Sequence, residues 1–297
     1  MLISFIICTK NRASQLNDAL GYVAAAIHPD SDVEIILVDN GSDDLTKSVI
    51  SGFAAQAPVE VKCVDCETPG SGAARAAGVL AASGEWLIFT DDDCYIEQSF
   101  FIKFSDFVTT ALSVNSAGVR VKYGSGAILP YDDQHDPRIT NFPISQVSEI
   151  PPYSLLPAGV IHSANMFAHR EVFAKIGNFN EAMGAGTPFP CEDIELATRA
   201  SLAGFVGAQV PFFKVIHHHK RTTGSAEANK TIESYDYGRG AYYASLLARG
   251  ISQAWQLWET TGTIGNPMDA QSRMRMAREF EGAMNYLKNL NNQGWPR

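Results

Sequence analysis

Residues 86–93 read Trp-Leu-Ile-Phe-Thr-Asp-Asp-Asp. A run of bulky apolar and β-branched side chains this dense marks a strand buried on both faces, the kind found in parallel sheets covered by helices. The same grammar appears at residues 33–38, Val-Glu-Ile-Ile-Leu-Val, followed by Asp39-Asn40-Gly41-Ser42-Asp43-Asp44. Working outward, strands are expected at 2–8, 59–64, 119–128 and 206–216 as well. Helical patterns stand between them at 13–26, 43–57, 72–82 (closed by Gly84), 97–112 and 192–203 (ending at Gly204). Strands alternating with helices imply βαβ units and a mostly parallel α/β sheet, with ligands beyond the carboxyl ends of the strands. Residues 129–157 hold six prolines and little periodicity, as a functional loop would. From 231 to 290 the chain turns helical again.

Composition bounds the function. The 297 residues are 45% hydrophobic and 19% charged, which excludes a disordered, coiled-coil or collagen-like chain. A net charge of −9 argues against general nucleic-acid binding, which wants a basic face. It leaves room for a small phosphate-bearing ligand at one local site. The five cysteines are an odd number, and Cys63-x-x-Cys66 has no second pair to complete a zinc ribbon. Residues 1–8 run straight into Thr9-Lys10-Asn11-Arg12 with no basic leader or cleavage site, and no stretch approaches the ~20 apolar residues of a spanning helix. A cytoplasmic protein is expected, with peripheral contact at the inner membrane face as a further option. Asn40 and Asn229 stand in glycosylation sequons that matter only in a secretory compartment.

Four clusters carry chemistry. Asp39 ends a buried strand, where its carboxylate can accept from a base or ribose; Gly41 permits a tight turn, and Ser42 or Asp43 can cap the next helix. In Asp91-Asp92-Asp93, strand alternation sends Asp91 and Asp93 to one side and Asp92 to the other. Three adjacent carboxylates repel one another, and a divalent cation relieves them. Glu192-Asp193 opens a helix whose dipole favours ionised carboxylates, behind the flexible loop Gly184-Ala185-Gly186-Thr187-Pro188. An ionised carboxylate on a rigid element is a general base. His217-His218-His219 ends a strand with His217 and His219 on one face, as metal ligands would stand. Lys214, Lys220 and Arg221 near it could meet a phosphate.

In this order the pieces resemble family 2 glycosyltransferases of the nucleotide-sugar-binding GT-A fold. Cys8-Thr9-Lys10-Asn11-Arg12 resembles the opening motif of that family. Residues 38–44 resemble its V-D-[DN]-G-S-x-D segment, and residues 70–78 its G-x-x-x-A-R-N-x-G stretch, with Ala76 where the family has Asn. Asp91-Asp92-Asp93 is similar to its D-x-D metal motif, residues 163–181 to its acceptor-side segment, Glu192-Asp193 to its [ED]-D base motif, and His217 to its downstream metal-binding His. The likeness spans roughly residues 1–220.

The resemblance implies a GT-A domain over 1–225, with a nucleotide-binding half at about 1–115 and an acceptor-binding half at about 116–225. A helical extension at 226–297 would pack on it. It implies inverting transfer from a nucleotide-sugar, with UDP expected because Asp39 suits the uracil imide, to an acceptor hydroxyl in glycan, polysaccharide or glycoconjugate synthesis. Thr9, Asn11, Arg12, Asp39, Asn40, Gly41, Arg75, Asp91 and Asp92 are assigned to the nucleotide, Arg75 orienting Asp39 or the nucleotide itself. Asp93, Asp91 and His217, with His219 as the alternative, are assigned to Mn²⁺ or Mg²⁺. Asp193 is the base, Glu192 its close alternative, and Asn165 and Gly186 belong to the acceptor side. Two other classes stay open: a sugar-nucleotide nucleotidyltransferase, which would want a glycine-rich triphosphate loop where Thr9 to Arg12 has none, and a non-catalytic nucleotide-sugar-binding or interaction module. Trp255, Trp258, Tyr242 and Tyr243, with Arg273, Arg275 and Arg278, could face a membrane or a second copy of the chain.

Overall fold

A computed structural model describes residues 1–115, 117–261 and 269–293. The N-terminal half runs β1 (Ile3–Thr9), α1 (Ala13–Ala26), β2 (Val33–Asp39), α2 (Thr46–Ala54), β3 (Val61–Asp65), α3 (Ser71–Ala81), β4 (Trp86–Asp91), β5 (Cys94–Ile96) and α4 (Phe100–Thr109). Then follow β6 (Val121–Pro130), β7 (Ser148–Ile150), β8 (Asn165–His169), α5 (Arg170–Ile176), α6 (Glu192–Leu202) and β9 (Val206–His217). The chain closes with α7 (Ala226–Ala248), α8 (Ala254–Thr261) and α9 (Ala270–Gln293).

One sheet carries the strands in the order β3-β2-β1-β4-β8-β6-β9-β5, with β7 pairing to β9. The βαβ alternation delivers what it predicts: β3, β2, β1 and β4 run parallel to one another. Every residue of β2 is buried, as a strand covered on both faces must be. Beyond β4 the sheet is mixed. β8 pairs antiparallel with β4 and β6, and β9 runs parallel to β6. The sequence does not announce β5, β7 or β8, which are three to five residues long and draw their stability from distant partners.

Apolar side chains fill both faces. Phe5, Leu16, Phe104 and Phe213 pack beneath α1 and α4; Val79, Leu196, Tyr243 and Tyr286 pack beneath α3, α6 and the C-terminal helices. The strands end on one edge, and there β4 carries Asp91. Only Asp92 and Asp93 separate β4 from β5, and β5 pairs antiparallel with the end of β9, Cys94 opposite His217. That register carries His217 to the acidic turn.

Several boundaries shift for local reasons. The helix after β2 begins at Thr46, and its first turn is held by Asp44, which accepts from Thr46 N at 2.9 Å and Thr46 Oγ1 at 2.5 Å; neither Ser42 nor Asp43 caps it. Gly41 does make the turn, at φ +77°. Helix α3 ends at Ala81 and is closed by Ala82 rather than Gly84.

The C-terminal helices turn most of their aromatic set inward, as packing on the sheet domain requires, and not toward a membrane or a second copy. Tyr242, Tyr243 and Trp258 are buried, the last two stacked at 5.4 Å, and only Trp255 is about half exposed. Arg275 and Arg278 pair with the buried Asp236, while Arg273 is exposed. Residues 262–268 of the expected helical stretch, and residue 116 at the expected junction of the two halves, lie outside the described residues. No described helix is long and apolar enough to cross a membrane.

Candidate active site

A cavity of about 960 Å³ opens where the carboxyl ends of the strands meet α6 and α7. Thr9, Arg12, Asn40, Arg75, Asp91, Asp92, Asp93, Gly186, Glu192, Asp193 and His217, all singled out in the sequence, line it. Asn11, Asp39 and Gly41 do not; they build the wall behind. Asn11 Oδ1 accepts from Asp43 N at 2.8 Å, and both Asp39 oxygens accept from Ser42 N at 3.2 Å. Asn40 spends its amide on the backbone of Cys66, Thr68 and Gly70, so it shapes the rim.

The three carboxylates divide at the turn between β4 and β5. Asp92 turns toward β1, accepting from Thr9 Oγ1 at 2.7 Å and pairing with Arg12 Nε at 3.0 Å. Asp91 and Asp93 face the other way and gather with Cys94 and His217, their ligand atoms all within 4.8 Å of one another. His217 Nε2 lies 3.2 Å from Asp93 Oδ1, and Nδ1 lies 3.4 Å from the Thr140 carbonyl oxygen. A proton on Nδ1 donated to that carbonyl leaves Nε2 free as a ligand. Burial pushes the Asp93 carboxyl up, but His217 and Arg12 outweigh it and hold the group far below the usual carboxylate range. Burial pulls the His217 imidazole down, and Asp93 more than offsets it.

Two carboxylates and an imidazole are hard and borderline donors of the kind that suits Mn²⁺ or Mg²⁺. Cys94 fits less well, because burial raises its thiol well above the ordinary value and keeps it protonated. His219, the alternative ligand, does not join the group. Its Nδ1 accepts from Arg221 N at 3.1 Å, and it lines a smaller neighbouring cleft. Lys214 is exposed partway along β9 and lines neither cavity, whereas Arg221 lines both and Lys220 the smaller one.

Glu192 and Asp193 open α6 with different surroundings. Arg75, almost fully buried, donates from Nη1 to Glu192 Oε1 and from Nη2 to Asp91 Oδ1, the latter at 2.7 Å. It therefore ties α6 to the acidic turn; of the two roles expected of it, the contact with Asp39 is not made among the described residues, while its place on the cavity wall is kept. Ser71 Oγ also donates to Glu192, at 2.8 Å. With those donors Glu192 is committed. Asp193 is freer: Oδ2 accepts from Ser163 N at 2.9 Å, Oδ1 from Ile194 N at 2.7 Å, and the carboxylate keeps an edge on the cavity. Burial first, and the neighbouring Glu192 charge second, push the Asp193 carboxyl up despite the helix start that was expected to keep it ionised.

The loop before α6 is locked by close approach. A side chain on Gly72 would strike the Met183 and Asn180 carbonyls, and Gly184 stands at φ +111° against Ser71 and Glu192. Asn165 does not reach the cavity. It is fully buried, and its Nδ2 donates to the Ala127 and Phe213 carbonyls, binding β8 into the sheet. Its neighbours Ser163 and Ala164 take its place on the cavity wall. Sequence reading missed the contribution of α7: Lys230, Thr231, Ser234, Tyr235 and Arg239 face the cavity at one-face helical spacing. That spacing of polar residues was the available signal.

Residues 4–177, more than half of the chain, match the model of Glycosyl transferase family 2. Glycosyltransferase AglE of Haloferax volcanii is 28% identical over 204 residues, covering 68% of this chain and 62% of that protein, so the chain spans less than two thirds of it. Among solved structures, mannosyltransferase PcManGT from Pyrobaculum calidifontis, in complex with GDP-Man and Mn²⁺, is similar at a TM-score of 0.58 and 16% identity, over 99% of this chain and 76% of that one. Residues 1–349 of S. aureus TarS in complex with UDP-GlcNAc give 0.57 at 15% identity, over 99% and 93% of the two chains. These likenesses establish the GT-A fold.

Proposed function

The chain belongs to glycosyl transferase family 2, and on that premise we propose that it is a metal-dependent inverting glycosyltransferase that moves a sugar from a UDP-sugar to an acceptor hydroxyl. The observation that carries the reading is one cavity with a cation-ready group, Asp91, Asp93 and His217, on one side and a carboxylate with a raised pKa, Asp193, on the other. Arg75 joins the two sides.

A divalent ion held by Asp91, Asp93 and His217 would supply the positive charge that a departing diphosphate needs. Arg12 and Arg75 offset part of the charge of the three carboxylates of the turn, and the excess that is left is what a cation would meet. Asp193 takes the proton from the acceptor hydroxyl as its oxygen bonds to the anomeric carbon. The bond from that carbon to the phosphate oxygen breaks, and the nucleoside diphosphate carries off the electron pair. Attack opposite the leaving group inverts the anomeric centre, as in inverting hydrolysis with the base on one face and the leaving group on the other. Glu192, already accepting from Arg75 and Ser71, holds α6 in place and is the weaker candidate for the base.

UDP is favoured by the UDP-GlcNAc held by a structural neighbour, GDP being the competitor that the other neighbour names. We read residues 1–225 as the transferase unit and 226–297 as an extension, of which helix α7 supplies one cavity wall. The five free cysteines accord with a cytoplasmic setting. Incubation with a panel of UDP- and GDP-sugars and Mn²⁺ tests the reading. UDP release that EDTA abolishes is expected; release of pyrophosphate from UTP and a sugar phosphate would favour a nucleotidyltransferase, and no turnover of any donor a binding module.

A further inference from the structure

Thr140 stands on the cavity wall with its backbone in the left-handed region, at φ +39°. A β-branched residue there is a genuine outlier, because its side chain crowds its own backbone. Such strain persists only where the surroundings over-determine it, and an outlier of this kind points to a function. Thr140 is gripped from both sides. Ile139 is buried, and its N–H donates to the carbonyl of the buried Asp136 at 3.1 Å. Phe142 exchanges backbone hydrogen bonds with Ile128 of β6, at 2.9 and 3.0 Å. Asp136 N in turn donates to Arg221 O at 2.9 Å, in the strap after β9.

The strained turn aims two groups. The Thr140 carbonyl oxygen lies 3.4 Å from His217 Nδ1, and its hydroxyl 3.2 Å from Tyr235 Oη. His217 is buried, and besides Asp93 this carbonyl is its hydrogen-bond partner among the described residues. Tyr235 comes from α7, beyond the 4–177 segment of the family match. Burial pushes its hydroxyl above the ordinary value, so it stays a neutral hydrogen-bonding group. Close approach fixes α7 here: a side chain on Gly238, about one turn on, would strike the Pro190 carbonyl. A line of contacts therefore runs from the C-terminal extension to the cation group, through Tyr235, Thr140, His217 and Asp93.

We propose that Thr140 is a positioning residue for the cation group: Tyr235 of α7 locks the Thr140 turn, and the Thr140 carbonyl holds His217 with Nε2 presented to a divalent ion. This rests on the reading of His217 as a cation ligand. A histidine that ligates through one nitrogen is oriented by whatever accepts from the other, and loss of that partner costs roughly 10–100-fold in metal affinity. No substitution removes a backbone carbonyl, but its aim is open to change through the Thr140–Tyr235 hydroxyl pair. The helical extension then tunes the affinity of a site whose ligands all stand on the sheet and its acidic turn.

The test titrates the full chain with Mn²⁺ alone, the free ion being read by its electron paramagnetic resonance signal. Tyr235→Phe and Thr140→Val should each weaken Mn²⁺ about fivefold, less than for loss of a direct partner because the carbonyl itself stays. The double variant should be no weaker than either single one, since both cut the same link. Thr140→Ser keeps the hydroxyl and should bind Mn²⁺ within about twofold of wild type. A merely structural role would lower Tm and leave the Mn²⁺ affinity of the folded variants alone. Nuclear magnetic resonance of the metal-free chain reads the link without the ion. A slowly exchanging His217 Nδ1 proton, assigned by its loss in His217→Gln, is expected in wild type and should exchange faster in Tyr235→Phe and Thr140→Val. Unchanged Mn²⁺ affinity in both variants, fully additive losses, a loss in Thr140→Ser equal to that in Thr140→Val, or proton exchange indifferent to both would each overturn the proposal. If the wild-type chain binds no Mn²⁺ yet protects that proton and the variants release it, the reading of His217 as a cation ligand fails and the positioning of His217 by Thr140 stands.

Discussion

At the turn after β4, Asp93 lies between the Arg12 guanidinium and the His217 imidazole. At the start of α6, Asp193 has no cation in contact among the described residues, and beside it is another acid, Glu192. Both residues are aspartates of one cavity, and their surroundings drive them apart: Asp93 is held as a permanent anion, while Asp193 is eased toward accepting a proton. Separation of this sort between two carboxylates is how a fold gives them different work. A permanent anion suits a cation site; a carboxylate poised near neutrality suits proton transfer.

The comparison breaks most visibly at Asp193. Asp193→Asn should lower turnover about a thousandfold, the range for loss of a general base, while UDP and Mn²⁺ bind within about twofold of wild type. Turnover near wild type would remove Asp193 from the chemistry. Arg75 spans both regions, and Arg75→Met would leave the buried Glu192 without its cation. A loss of about 3 kcal/mol in denaturant unfolding is expected, as for one partner removed from a buried ion pair. An unaltered midpoint would mean the two sides are not coupled through it. Asp93→Ala should cost roughly a hundredfold in Mn²⁺-dependent UDP affinity, and His217→Ala roughly tenfold, by calorimetry with and without EDTA. Equal UDP affinity with and without metal in the wild-type chain would dissolve the cation site.

These two regions also differ in how far sequence alone reveals them. The grouping of Asp91 with Asp93 matches the expectation from a period of two, although Asp92 and Asp93 stand in the turn after β4 and Arg12 touches both. The placing of His217 at a strand end holds. What brings them together is not local: β5 is three residues long, and its pairing with β9 spans more than a hundred positions, so neither the strand nor the Cys94–His217 register has a signal in the run of residues. Arg75 was legible as a motif residue, but its partners lie 16 and 117 positions away on separate elements. Asn165 is assigned to the acceptor side through the resemblance of residues 163–181 to a family segment. Its burial inside the sheet, bridging two backbones, is set by β6 and β9 and not by its own surroundings in sequence. The polar face of α7 was open to reading, since spacing is local, yet which wall it would cover depends on packing against Pro190.

The smallest expected effect sharpens the contrast most, because its sign differs between the two carboxylates. Burial and Glu192 raise the Asp193 carboxyl to about 7. Only the ionised form takes a proton, so kcat/KM should fall about tenfold per pH unit below that value, and an acid limb near the ordinary carboxylate range of about 4 would contradict the raised pKa. Stability follows by linkage. Between about 4 and 7 the folded chain holds a proton on Asp193 that the unfolded chain has lost, so this group's contribution declines as pH rises through that window. Asp193→Asn removes the decline, and its Tm relative to wild type should be higher at pH 8 than at pH 5. Asp93 runs the other way. With its pKa held down by His217 and Arg12 against burial, its contribution is present above the ordinary carboxylate range and is lost as pH falls below it. Asp93→Asn should therefore be most damaging to Tm at neutral pH and least at acid pH. Parallel Tm profiles for the two variants would mean that the fold treats the two aspartates alike, and the division of labour between cation site and base would lose its physical basis.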